Sequence, residues 1–131
     1  MKATLAGIAA CVLVICTETE AQSTKAEPLN AQKMVRLAKL EIHPEHLESY
    51  KAALKEEIEA SIRLEPGVLA LRAVSEKEHP MRITIMEIYA SVEAYKGHIA
   101  SSHFQKYKVG TEHMVKSLEL VEVDPILIGE K

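Results

Sequence analysis

The apolar residues of this chain recur with two different periods, and these periods predict strands and helices in alternation. Residues 34–42 alternate as a strand does, with Ala38, Leu40 and Ile42 on one face. A proline follows two residues later, where it suits the first turn of a helix. Over residues 47–62 the apolar positions are three or four apart, which predicts an amphipathic helix of about 20 residues.

The rest of the pattern predicts three more strands and a second helical region. The sequence Glu-Pro-Gly at residues 65–67 is a turn signal that ends the helix. Residues 68–75 and 82–90 alternate as strands. The second of them is apolar on both faces, so we expect both of its faces to be buried. Ser91 is placed to cap a helix. The remaining elements are helical stretches at 92–100 and about 102–115 and a strand at 117–123.

The order of these elements defines a fold class. Strand, helix, strand, strand, helix, strand is the α+β, ferredoxin-like βαββαβ plan, in which a four-stranded antiparallel sheet carries its helices on one face. That plan leaves the other face of the sheet open, and the apolar residues on it need a cover. An identical subunit stacked sheet to sheet is the simplest cover, so we expect a homodimer.

The first 21 residues have the pattern of an export signal. Lys2 is followed by an almost wholly apolar run over residues 3–16, which is shorter than the roughly 20 residues that a membrane-spanning helix needs. Small residues lead up to Ala21, so we predict a signal peptide over residues 1–21 and an exported, periplasmic or secreted protein. The alternative is a lipid anchor at Cys16, although the bulky isoleucine before it does not suit lipidation.

The composition of the chain excludes several kinds of site. Residues 22–32 are polar and predict a flexible leader, so the single folded domain should span residues 33–131. Both cysteines lie inside the predicted signal peptide, so the mature chain has no thiol for disulfides, metal ligation or nucleophilic attack. Removal of residues 1–21 takes away one lysine and two glutamates and changes the net charge from −3 to −2. Neither value favours a nucleic-acid partner.

Three segments of the predicted domain, "EPGVLALRAV", "ITIMEIYASVEAYKGHIAS" and "HIASSHFQKY", together resemble the antibiotic biosynthesis monooxygenase family, which includes quinol monooxygenases. The resemblance covers about residues 34–125. It implies a dimeric α+β barrel that oxidises a small quinol or polyphenol with O2 and uses no cofactor. Such chemistry requires an apolar pocket, a base near the substrate hydroxyl, and exclusion of bulk water.

Several polar residues are candidates for this chemistry. His103 is the first candidate for the base, because a neutral imidazole accepts a proton near neutral pH. Tyr107 lies one helical turn further on and could orient the substrate or the ring. Glu87 interrupts an apolar strand face and is a candidate acid or base; the alternative is a cross-strand ion pair with Arg72. The residues expected to contact the substrate are His98, Tyr89, Arg72 and Phe104.

Structural roles compete with each of these assignments. His103 could cap its helix, and Tyr107 could be part of the core. A metal site is not expected, because His98 and His103 would lie about 140° apart on a continuous helix. A helix break at residues 101–102 could bring them closer, but no third ligand is evident in the sequence.

Other functions stay open at this point. A dimeric module that binds a small molecule without catalysis fits the same sequence. Heme-degrading relatives use a tryptophan and an asparagine, whereas this chain has no tryptophan and its single asparagine, Asn30, lies in the predicted leader. An isomerase of a phosphorylated dione would need phosphate recognition, for which Arg72, Arg82 and Lys106 are the available residues.

Overall fold

The computed structural model describes residues 33–131, which fold into a four-stranded antiparallel sheet and three α-helices. The strands are β1 (Met34–Ile42), β2 (Val68–Ser75), β3 (Arg82–Tyr89) and β4 (Val115–Val123). The helices are α1 (Leu47–Leu64), α2 (Val92–Ala100) and α3 (Ser102–Thr111), and short 3-10 turns at Pro44–His46 and Glu112–Met114 precede α1 and β4. The α+β, ferredoxin-like fold predicted from the sequence is confirmed.

The sheet has the strand order β2-β3-β1-β4, with β1 antiparallel to both β3 and β4.

The predicted signal peptide, its cleavage site, the leader and Cys16 lie outside the described residues. Within residues 33–131, no helix is both long and apolar enough to cross a membrane.

The hydrophobic core lies between α1 and one face of the sheet. Ala38, Leu40 and Ile42 are buried on this face, as the alternation of β1 predicts. Tyr50 and Leu54 of α1 pack against them, together with Ile83 and Ile85 of β3. Full burial of an aliphatic side chain of this size stabilises the fold by about 1.5–3 kcal/mol.

Two serines set the directions of the second and third helices. The Ser91 hydroxyl accepts a hydrogen bond from the Ala94 amide at 3.1 Å, so the predicted N-cap is confirmed. Ser101 caps α3 by accepting from the Phe104 amide, and its own backbone is extended, with φ −67° and ψ 151°. The chain therefore turns between α2 and α3, and the two helices are not continuous.

The Glu-Pro-Gly turn after α1 packs directly against α2. The Gly67 carbonyl accepts a hydrogen bond from the Ala90 amide at 2.9 Å. A Cβ atom at position 67 would lie only 2.6 Å from the Cβ of Ala94. The absence of a side chain at Gly67 is thus what allows the turn and the helix to approach each other.

We expect Gly67→Ala to lower the free energy of unfolding by about 1–3 kcal/mol, because the new methyl group displaces the turn from α2. Urea denaturation measures the change. Gly97→Ala is the matched control, because Gly97 is inside α2 and a Cβ there meets nothing within 4 Å. A loss for Gly67→Ala no greater than for Gly97→Ala would contradict close packing at the turn.

The C-terminal tail crosses the second face of the sheet. It leaves β4 at one edge, and Glu130 forms an ion pair with Arg72 of β2 at the other edge. Val35 and Ile88, on the face away from the helices, are buried. The chain itself therefore covers part of the face for which a second subunit is expected. Exposed apolar side chains remain there and on the tail: Val74, Met86, Ile126 and Leu127.

Candidate functional site

A cavity of about 510 Å³ lies between the sheet and the helices α2 and α3. Aromatic rings form much of its wall, and β4 supplies Leu118 and Leu120. These two leucines are 55% and 52% exposed, so the cavity is open on the β4 side. The predicted site residues that line it are Glu87, Tyr89, His98, Phe104 and Tyr107.

Glu87 is a half-buried carboxyl group in the wall of this cavity. It lies opposite Arg36 in the pairing of β1 with β3, and it accepts a hydrogen bond from the Tyr89 hydroxyl at 2.9 Å. Burial raises the pKa of Glu87, and this effect outweighs the hydrogen bond and the charge of Arg36, which lower it. Glu87 is therefore a better proton acceptor than an ordinary surface carboxylate.

The predicted ion pair between Glu87 and Arg72 is wrong. The pairing of β2 with β3 shifts register between Val68 and Ala70, which places Arg72 opposite Met86. Because neighbouring residues of a strand point to opposite faces, Arg72 lies on the side of the sheet away from Glu87. Arg72 is consequently outside the cavity, where it binds Glu130.

Arg36 is a cavity residue that the sequence reasoning missed. Its guanidinium group donates to the Tyr95 hydroxyl at 2.5 Å and to Glu122 at 2.9 Å, and it lies 4.3 Å from the centre of the Tyr95 ring. Its Nε atom is buried and has no hydrogen-bond partner among residues 33–131. A signal was present, because Arg36 shares the core face of β1 with Ala38, where a charged residue is unusual.

His98 forms part of the cavity wall and is buried. Its ring lies against those of Phe104 and Tyr89, with centroid distances of 4.9 and 5.4 Å. Its Nδ1 atom is 2.9 Å from Oε2 of Glu65, and its Nε2 atom is 3.5 Å from Oε1 of Glu57. Both nitrogens thus face carboxylates outside the cavity.

His103 does not line the cavity, contrary to the expectation for a base that meets the substrate there. Its Nε2 atom is 2.6 Å from Oε2 of Glu65, and it borders a smaller groove between α1 and α3. The turn at Ser101 explains this position, because it starts α3 in a direction that brings His103 toward α1.

Glu65, His98 and His103 form a cluster in which one potential ligand atom from each residue lies within 4.8 Å of the others. Glu65 is therefore a third potential ligand beside the two histidines, although no sign of one was visible in the sequence. Burial opposes ionisation of Glu65, but hydrogen bonds with His98 and His103 outweigh that effect and lower its pKa. Glu65 begins the Glu-Pro-Gly turn, which in the sequence indicated a helix end and the family resemblance but no role as a ligand.

Tyr107 contacts the cavity and is joined to the core. Its hydroxyl is 2.6 Å from that of Tyr50, so it does not orient the His103 ring. Burial raises the pKa of Tyr50 to about 12, and burial likewise raises the pKa of Tyr107. Both phenols stay protonated at neutral pH.

The candidate phosphate ligands do not converge. Arg72, Arg82 and Lys106 form surface ion pairs with Glu130, Glu76 and Glu56, respectively. None of the three basic residues lines the cavity. This distribution gives no support to an isomerase acting on a phosphorylated substrate.

The ferredoxin-like sheet and its partly enclosed cavity, lined by several aromatic rings, define a small α+β protein with a candidate site between sheet and helices. Residues 34–109 match the family described as antibiotic biosynthesis monooxygenase, and the chain belongs to this family. It is 59% identical to a crystal structure named "Putative antibiotic biosynthesis monooxygenase" from Bacteroides thetaiotaomicron VPI-5482, with a TM-score of 0.74. That similarity covers 76% of this chain and 95% of the other.

Two further solved structures are similar to this chain. A protein from Lactobacillus acidophilus NCFM, named "putative monooxygenase", is 30% identical with a TM-score of 0.67, over 71% of this chain and 43% of that one. A "Putative antibiotic biosynthesis monooxygenase" from Nitrosomonas europaea is 19% identical with a TM-score of 0.68, over 72% and 91% of the chains, and shares the fold. No curated protein matches the chain.

Proposed function

We propose that this protein is a cofactor-independent monooxygenase that oxidises a small quinol or polyphenol with O2. The observation that carries this proposal is the cavity, where a half-buried carboxyl group with a raised pKa, Glu87, lies among aromatic rings. Membership of the monooxygenase family supports an oxidoreductase activity in general. The cavity chemistry supports a phenolic substrate, whose ring stacks on aromatic side chains and whose hydroxyl needs a base.

We assign the role of base to Glu87 and not to His103, because Glu87 lines the cavity. A free phenol has a pKa near 10, so a carboxylate with a raised pKa is a more suitable proton acceptor than an ordinary one. The buried Nε–H group of Arg36 can donate to the phenolate oxygen that forms, which would satisfy an otherwise unpaired donor.

The substrate itself is the reductant in this scheme. The phenolate gives electrons to O2, one oxygen atom is added to the ring, and the other leaves as water. A hydroquinone and O2 thus yield a hydroxyquinone and water, so no external electron donor is needed. Exclusion of bulk water from the cavity protects the reactive intermediates.

We also propose a homodimer that closes the open side of the cavity. Leu118 and Leu120 are half-exposed in the single chain although they belong to the cavity wall. A second subunit placed against β4 would bury both leucines and exclude water from the site.

Light scattering is expected to give twice the mass of one chain. Leu120→Glu should shift the mass toward the monomer, because it places a charge in the interface. Ile62→Glu is the matched control, since Ile62 is 49% exposed and lies on α1, away from β4. Monomers at every concentration of the native protein would contradict the proposed dimer.

Oxygen uptake tests the proposed reaction. Purified protein is incubated with a panel of hydroquinones and polyphenols, and the consumption of O2 is followed. With isotopically labelled O2, mass spectrometry should find one labelled oxygen atom in each product molecule. If phenols bind saturably but no O2 is consumed, the protein is a non-catalytic binding module and the oxygenase proposal fails.

A further inference from the structure

We propose that Glu65, His98 and His103 form a binding site for one divalent transition-metal ion with the ligand preference of Zn²⁺. This site lies beside the proposed oxygenase cavity, and its existence does not depend on that activity. Its donor set is two imidazole nitrogens and one carboxylate oxygen, which Zn²⁺ and Co²⁺ accept readily.

Three donor atoms of the cluster lie within 4.8 Å of one another, and the two distances to Glu65 are shorter still. Nδ1 of His98 and Nε2 of His103 lie 2.9 and 2.6 Å from the same atom, Oε2 of Glu65. Zinc bonds of about 2.0–2.1 Å at tetrahedral angles place neighbouring donors about 3.3 Å apart. An ion would replace the shared protons and widen each contact by less than about 1 Å.

Three different elements hold the ligands. Glu65 is the C-cap residue of α1 and has a non-helical backbone, His98 is in the last turn of α2, and His103 is in the first turn of α3. The turn at Ser101 and the close packing of Gly67 against α2 bring these three ends together. The site is thus largely formed before an ion arrives.

A second carboxylate lies next to the nitrogen of His98 that does not face Glu65. The second nitrogen of His98, Nε2, faces Oε1 of Glu57 at 3.5 Å. Glu57 is itself fixed by a hydrogen bond of 2.6 Å from the Ser61 hydroxyl. Metal-binding histidines typically have a carboxylate on the nitrogen that does not bind the metal, because it fixes the ring and raises its basicity.

The charge of the cluster favours a bound cation. Among residues 33–131, histidines are the only positively chargeable groups within 4.0 Å of the Glu57 and Glu65 carboxylates. Carboxylates in such a buried place need a compensating charge. The side chains of Glu65 and His103 are 17% and 16% exposed, so an ion can enter from that side and keep a water molecule as its fourth ligand.

Titration with Co²⁺ tests the site in the purified protein, prepared without a histidine tag. We expect one Co²⁺ ion per chain, visible d–d absorption bands, and displacement by Zn²⁺. Glu65→Gln and His103→Ala should each weaken binding about tenfold or more. His113→Ala is the control and should keep the affinity, because it disrupts the other histidine pair, in which His46 and His113 have ring centroids 5.0 Å apart.

The proposal is overturned if Co²⁺ gives no absorption bands, or if Glu65→Gln binds as tightly as the native protein. Loss of binding in His113→Ala would assign the ion to the surface pair instead. Circular dichroism shows whether the variants fold. If they do not, nitrogen NMR of the native protein decides: Zn²⁺ should shift Nδ1 of His98 and Nε2 of His103, and shifts confined to His46 and His113 would refute the site.

Discussion

Glu87→Gln is expected to lower phenol-dependent O2 uptake by about 10²–10⁴-fold, the usual contribution of a general base. Glutamine preserves the size of the side chain and can still accept from the Tyr89 hydroxyl, but it cannot take a proton from the substrate. The measurement is kcat/KM with a quinol that the native protein oxidises. Glu59→Gln, on the exposed surface of α1, is the matched control. An unchanged rate for Glu87→Gln would remove Glu87 from the mechanism.

The same substitution should raise stability at neutral pH. Because burial raises the pKa of Glu87, the folded state binds its proton more tightly than the unfolded state does. Stability is therefore lost as the pH rises from the ordinary glutamate pKa through the raised value of the folded protein. Glutamine does not ionise, so the advantage of Glu87→Gln should appear above this window and vanish below it. Urea denaturation at an acidic and a neutral pH measures the difference.

Tyr50→Ala is expected to lower the free energy of unfolding by about 3–5 kcal/mol. Tyr50 is fully buried in the core between α1 and the sheet, so its loss leaves a large cavity and a Tyr107 hydroxyl without its partner. Tyr50→Phe is the control, because it removes only the hydroxyl and should cost about 0.5–1.5 kcal/mol. Urea denaturation at one fixed protein concentration compares them. Equal losses would show that the ring contributes little to the core.

The fold could be predicted because the apolar residues recur with clear strand and helix periods. Ala38, Leu40 and Ile42 occupy the core face that the alternation assigned to them, and Ser91 caps the helix that it precedes. Which side chains of a strand are buried, and which residue caps a helix, depend on residues close together in the chain. These features can therefore be predicted from the local sequence pattern. Of the predicted residues that line the cavity, Glu87 and Tyr89 lie on the strand face that the alternation of β3 assigns to them.

Two local changes in backbone direction have consequences for the site that periodicity does not predict. The register shift between Val68 and Ala70 turns Arg72 to the opposite face of the sheet, which removes the expected ion pair with Glu87. The turn at Ser101 places His103 next to Glu65 and away from the cavity. The register shift depends on pairing with a distant strand, and the position of His103 depends on how α3 packs against α1. The local pattern encodes neither.

The C-terminal region, β4 and the tail, contributes residues to the candidate site and to the second face of the sheet. The match to the family model ends at residue 109, yet β4 and the tail follow it. Leu118 and Leu120 shape one wall of the cavity, and the tail binds Arg72 on the second face of the sheet, where Val35 and Ile88 are buried. An expression design that stopped at the shared region would lose a wall of the site, and one that stopped at Val123 would uncover the second face. Proteins that match equally well over the shared region can therefore present differently shaped cavities.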